Sequence, residues 1–122
     1  MTTIPRSMVA LLLAASASAC AGHAMPAARV GSAEAATRAA RDAGAERTPD
    51  AALHLRLAER QIDQARRLID EGEPERAEWL LVRAEADASL ATALSREAQA
   101  KVSADAMATR VREAAAANGA ER

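Results

Sequence analysis

The chain has 122 residues, half of them hydrophobic, and its 16 lysine and arginine side chains nearly balance 17 acidic ones for a formal charge of −1. That length sets one domain, and the charge balance provides no basic footprint for nucleic acid or an anionic membrane surface. Alanine is the commonest residue and Trp79 the sole aromatic. The core is therefore expected to be thin, built from closely approaching helices, and to supply only a few kcal/mol.

Residues 1–19 read as an export signal. Arg6 precedes the apolar run Met8 to Ala15, and Ala17-Ser18-Ala19 supplies the small residues of a cleavage site. The apolar stretch from Ser7 to Ala21 falls short of the ~20 residues a membrane-spanning helix needs. Cys20, the only cysteine, follows at once and has no intrachain disulfide partner. Its position resembles that of the acylated cysteine in bacterial lipoprotein precursors, cut between Ala19 and Cys20. The resemblance implies a diacylglycerol on the thiol and usually an acyl chain on the new amine. Such anchoring is stable, because each buried methylene contributes ~0.8 kcal/mol. The lipoprotein pattern usually carries leucine where this chain has Ala17. Soluble export through the ordinary peptidase is therefore the alternative. Alanine rather than aspartate at position 21 matches the sorting pattern for the outer membrane, facing the periplasm.

From residue 20 to 31 the chain reads as a lipidated N terminus and flexible tether, broken by Gly22, Pro26 and Gly31, with His23 a solvated linker residue. An alanine-rich helical domain then spans 32–118, with 119–122 as a tail. Its first helix is expected over about 33–43, capped by Ser32 and closed by Gly44. Ala33, Ala36, Ala40 and Ala43 share one face. At this length it is too short to stand alone in water and must dock.

The second helix has the clearest start. Thr48 is a good cap, Pro49 suits the first helical position, and Asp50 matches the helix dipole. It should run over about 49–71 and stop at Gly72. Ala51, Leu55, Ala58, Ile62, Ala65 and Ile69 alternate steps of four and three, the spacing of a helix–helix seam. Arg56, Glu59, Arg60, Asp63, Arg66, Arg67 and Asp70 are expected to form a wet opposite face.

Gly72-Glu73-Pro74 is a tight reversal, so the next helix returns antiparallel. It is expected over about 74–117, with Asn118-Gly119 as its stop. At 1.5 Å per residue it spans ~66 Å, against ~34 Å for the second helix. Ala77, Leu81, Ala84, Ala88, Ala91, Ser95, Ala98 and Val102 should meet the second helix. A second stripe holds Trp79, Ala86, Leu90, Ala93, Ala100 and Ala104, with Leu94 nearby, and the first helix should cover part of it. Trp79 is expected to pack beneath that helix, the alternative being an exposed anchor for a partner. Trp79, Leu90 and Leu94 are the candidate interaction surface. From about Glu97 onward the third helix has no evident neighbour in its own chain. The fold class is thus all-α, an antiparallel helical hairpin with a short preceding helix.

No residue pattern announces catalysis. His54 is the only histidine beyond the tether, no metal-ligand spacing occurs, and neither a nucleophile elbow nor a phosphate-cradling loop is present. Partial burial beside the tether or the first helix is the expected role of His54. No cofactor, metal or small-molecule substrate is expected.

Leu55, Ala58, Ala65, Gly72 and Ala77, followed by the step Arg83-Ala84-Glu85-Ala86-Asp87-Ala88 and by Ala91, resemble the domain-of-unknown-function family DUF4398. The resemblance covers about Ala33 to Ala117. It implies an alanine-rich helical hairpin on a bacterial envelope lipoprotein and no assigned activity. Some members resemble this chain but add a peptidoglycan-binding domain; this sequence shows neither that domain nor a terminal lysine for cell-wall linkage, so wall attachment is not expected. The expectation for function is a non-enzymatic outer-membrane lipoprotein. Its lipid would hold it to the membrane while the hairpin contacts another envelope protein or a second copy of itself. The alternatives are a soluble periplasmic binding or chaperone-like module and a structural envelope protein that self-associates through its third helix.

Overall fold

A computed structural model describes residues 26–120. The export signal, Ala19, Cys20, His23 and the final two residues lie outside the described residues. Helix α1 covers Pro26–Asp42, a single 3-10 turn covers Ala45–Arg47, α2 covers Pro49–Asp70 and α3 covers Pro74–Ala120.

Helix α1 starts seven residues earlier than its alanine spacing predicts, and it absorbs the second half of the expected tether. Ser32 is therefore an exposed interior residue rather than a cap. Pro26 has the fixed φ suited to a first helical position. The extra turns are held by long-range contacts: Val30 packs on the main core, and the Arg29 guanidinium lies 3.3 Å from Glu78 and 3.8 Å from Glu85, both on α3. These offset the cost of Gly31 inside the helix. A Cβ added at Gly31 meets nothing within 4 Å, and the residue is exposed. Gly31→Ala is accordingly expected to stabilise the fold by about 1 kcal/mol, by raising helix propensity and restricting the unfolded chain. A higher urea midpoint at unchanged slope checks this.

Two left-handed glycines set the path between helices. Gly44, at φ 84°, ends α1 and leads into the 3-10 turn. Gly72, at φ 80°, ends α2. There the Gly72 amide donates to the Ile69 carbonyl at 3.1 Å and the Glu73 amide to the Leu68 carbonyl at 2.8 Å. This double closure satisfies carbonyls that the helix end would otherwise strand. Thr48 takes the extended backbone of an N-cap, and its side chain makes no capping hydrogen bond. Asn118 and Gly119 do not stop α3. Gly119 has no positive φ, and the helix continues to Ala120.

The three helices form a slim bundle. Ala51, Leu55, Ala58, Ile62, Ala65 and Leu68 are the buried residues of α2. Leu68 replaces Ile69 as the last member of the seam, because near the reversal it faces the start of α3 and shares a cluster with Ala77 and Leu80. On α3, Ala77, Leu81, Ala84, Ala88, Ala91 and Ser95 are buried. Val102, expected to continue that stripe, is exposed because α2 has already ended against it. Ser95 satisfies its buried hydroxyl by donating to the Ala91 carbonyl at 2.8 Å. Ala33, Thr37 and Ala40 are the buried residues of α1, and the Thr37 hydroxyl donates to the Glu34 carbonyl at 2.8 Å.

Ion pairs fix the direction of α1. Glu34 meets Arg66 and Arg41 meets Glu59, so α1 runs antiparallel to α2. Arg29 lies near the start of α3, while the Gln99 amide donates to the Ala43 carbonyl at 2.7 Å, so α1 runs parallel to α3. The core divides in two. One cluster, near the reversal, gathers Ala33, Ile62, Leu81 and Ala84 among others. The other gathers Ala40, Ala45, Ala51, Leu55 and Ala91.

Candidate interaction surface

Helix α1 sits in the groove between α2 and α3, on the side of α3 that carries Glu78 and Glu85. It does not cover the second apolar stripe. Trp79 is 74 % exposed, which overturns the expectation that it packs beneath the first helix. The reason is angular. At 100° per residue Trp79, Val82, Ala86, Leu90 and Ala93 occupy the arc of α3 opposite its buried residues, whereas the ion pairs with Arg29 draw α1 about a quarter turn away. Val82 and Leu90 are exposed on this same outer face.

Leu94 behaves differently. It is half-buried and packs on the cluster of Ala40, Ala45, Ala51, Leu55 and Ala91. The three candidate residues thus divide, with Trp79 and Leu90 on the open face and Leu94 turned toward the bundle. Ala19 and Cys20 lie outside the described residues.

Ser95 is the last buried residue of α3, and the helix continues past the end of the bundle. Every residue from 101 to 120 is exposed, including Val102, Met107 and Val111. Beyond Ala93 the stripe is interrupted by Glu97 and resumes with Ala100, Ala104, Met107 and Val111. The result is a mainly apolar face from Trp79 to Val111, ~48 Å long at helical rise and crossed once by Glu97, with no neighbour among the described residues.

Local contacts support the arm. Lys101 lies 2.6 Å from Glu97, one helical turn away. The Lys101 ammonium, through its hydrogen bond and then its charge, holds the Glu97 carboxyl below the ordinary carboxylate value, and Glu97 in turn raises Lys101. The contribution of Glu97 is present above the ordinary carboxylate range and is lost as pH falls through the lowered value. That of Lys101 is present below the ordinary lysine value and is lost as pH rises through the raised one. Helical carbon chemical shifts at residues 97–101 are therefore expected to be largest between those ranges and to fall at both extremes. Flat shifts across the titration would contradict the pairing.

Sequence reasoning missed a polar cluster between α2 and α3. His54 Nδ1 lies 2.9 Å from one oxygen of Asp87, and the Gln61 amide donates to the other at 2.8 Å. His54 is half-buried as expected, but α3 covers it rather than the tether or α1. Only half of the signal was available: His54 and Gln61 are seven residues apart on one face of α2, but that Asp87 stands opposite them is fixed by the register of the hairpin. The cluster joins two helices and has no adjoining nucleophile. Among the described residues no group of three or more histidine, cysteine or carboxylate side chains could hold a metal, and no helix is long and apolar enough to cross a membrane. A groove between α1 and α2 is lined by Glu34, Arg38, Arg41, Glu59, Asp63 and Arg66. Arg38, Arg41 and Arg66 each lie against a carboxylate of the same groove. Its charges are matched internally.

What the fold defines is an all-α antiparallel hairpin, braced by a third helix, with one long helix bare on its outer side. The chain belongs to the family described as Domain of unknown function (DUF4398), which it matches over residues 28–107. That span takes in the whole braced bundle, including early turns of α1, and about the first dozen residues of the free arm. No curated protein and no solved structure matches the chain.

Proposed function

We propose that this protein is a non-enzymatic lipoprotein of the outer membrane, which works by contact with proteins of the cell envelope. Fatty chains on Cys20 hold it to the periplasmic side of the membrane. The braced hairpin keeps α3 stiff and presents its outer face. The observation that carries the contact role is the exposed apolar residues Trp79, Val82, Leu90, Val102, Met107 and Val111 along α3, with Trp79, Leu90, Met107 and Val111 on one face that no part of the described chain covers. The anchor rests on the order of Arg6, the apolar run, Ala17-Ser18-Ala19 and Cys20.

Incorporation of labelled palmitate tests the anchor. The wild type takes up label and sediments with membranes, and Cys20→Ser does neither. An unlabelled wild type released by osmotic shock would replace this reading with soluble export, which the alanine at position 17 favours.

A further inference from the structure

The α2–α3 seam shows how this chain joins helices. Alanine recurs at every seventh residue on both sides, as Ala51, Ala58 and Ala65 on α2 and as Ala77, Ala84 and Ala91 on α3, and all six are fully buried. The helices run antiparallel, and the steps between hold Leu55 and Ile62 on α2 and Leu81 and Ala88 on α3. The outer face of α3 repeats the pattern. Ala86, Ala93 and Ala100 stand seven apart, followed at the same spacing by Met107 and Ala114. Trp79 precedes them on the same register, and Leu90, Glu97, Ala104 and Val111 occupy the intervening steps, Glu97 being the one charge on the line and already paired with Lys101.

Charge along α3 is polarised. Residues 74–95 hold four acids (Glu75, Glu78, Glu85, Asp87) and two bases (Arg76, Arg83). Residues 96–116 hold four bases (Arg96, Lys101, Arg110, Arg112) and three acids (Glu97, Asp105, Glu113). A parallel pair of such helices sets like charge excess on like. An antiparallel pair sets the acidic half of each on the basic half of the other, at both ends.

We propose that the outer face of α3 binds a second copy of this chain, antiparallel. Trp79 lies beside Val111 of the partner subunit, Ala86 beside Ala104 of the partner subunit, and Leu90 beside Ala100 of the partner subunit. The bare arm of each copy covers the outer face of the other's bundle, and the two bundles sit at opposite ends without meeting. A closed two-fold pair of this kind leaves no apolar line to propagate further. This pairing names one partner for the contact role proposed above and rests on it.

Engineered thiols test the register in a Cys20→Ser chain. Mixing Ala86→Cys with Ala104→Cys under mild oxidation is expected to yield a disulfide-linked dimer, with little from either variant alone. Self-linking of Ala86→Cys by itself would establish parallel pairing and overturn the proposal. Sedimentation equilibrium is the second reading. Trp79→Ala is expected to weaken the dimer about 30-fold, and Leu90→Glu to leave a monomer of unchanged helix content. A wild type that stays monomeric across the concentration series, or a dimer indifferent to both substitutions, would refute it. Either failure leaves the palmitate result untouched, so the anchor and the pairing are tested separately.

Discussion

Replacing Ala84 with leucine is expected to destabilise the bundle by about 3 kcal/mol. Ala84 is fully buried and shares a cluster with Ala58 and Ala88. The helices approach closely because alanine stands at these positions on both sides. An isobutyl group there has no void to enter, so α2 and α3 must separate and every contact along the seam loosens. A core this thin supplies only about 3–5 kcal/mol in all, so the variant is expected to populate the unfolded state at room temperature. Far-UV circular dichroism against urea reads the effect. A midpoint equal to that of wild type would mean that the seam is looser than the buried alanines describe.

The opposite change gives the second large effect. Leu81 is fully buried and is the largest side chain so enclosed. Leu81→Ala loses the transfer free energy of the removed carbons and leaves a cavity walled by Ile62, Ala58 and Ala84, at a cost of about 3 kcal/mol. Alanine walls have no long side chains with which to fill the gap, so relaxation by neighbouring rotamers is small. Arg67→Ala, on the exposed side of α2, is the control and should change stability by less than ~0.5 kcal/mol. Similar losses from both would show that burial does not decide the cost.

The parts of this fold legible in the sequence are those fixed by local chemistry or by one helix's own period. Pro49 and Gly72 bound α2 within a residue of where the structure has them, and Ala51, Leu55, Ala58, Ile62 and Ala65 are its buried stripe. The bare arm beyond Glu97 followed from arithmetic, because α2 is too short to accompany it. What was missed depends on contacts between distant residues. The early turns of α1 contain Gly31 and show a weak pattern, and they are held by Arg29 reaching Glu78 and Glu85 across the bundle. Those same ion pairs decide which side of α3 is covered, so periodicity found the stripe of Trp79 and could not say which neighbour it would meet. Leu94 went inward for a similar reason: the turn at Gly44 brings Ala45 beneath it. Of the candidate surface, Trp79 and Leu90 were legible as one face. The His54–Asp87–Gln61 cluster was not, because its members come from two helices whose register only the hairpin fixes.

The claim on which the functional account turns is that contact occurs through the outer face of α3. Site-specific photo-crosslinking in intact cells tests it most directly, with the probe at position 79 and, as a control, at Arg67 on the exposed side of α2. The account predicts a discrete crosslinked product from position 79, lost when Leu90 is changed to glutamate, and none from position 67. No product from position 79, or equal products from both positions, would contradict it.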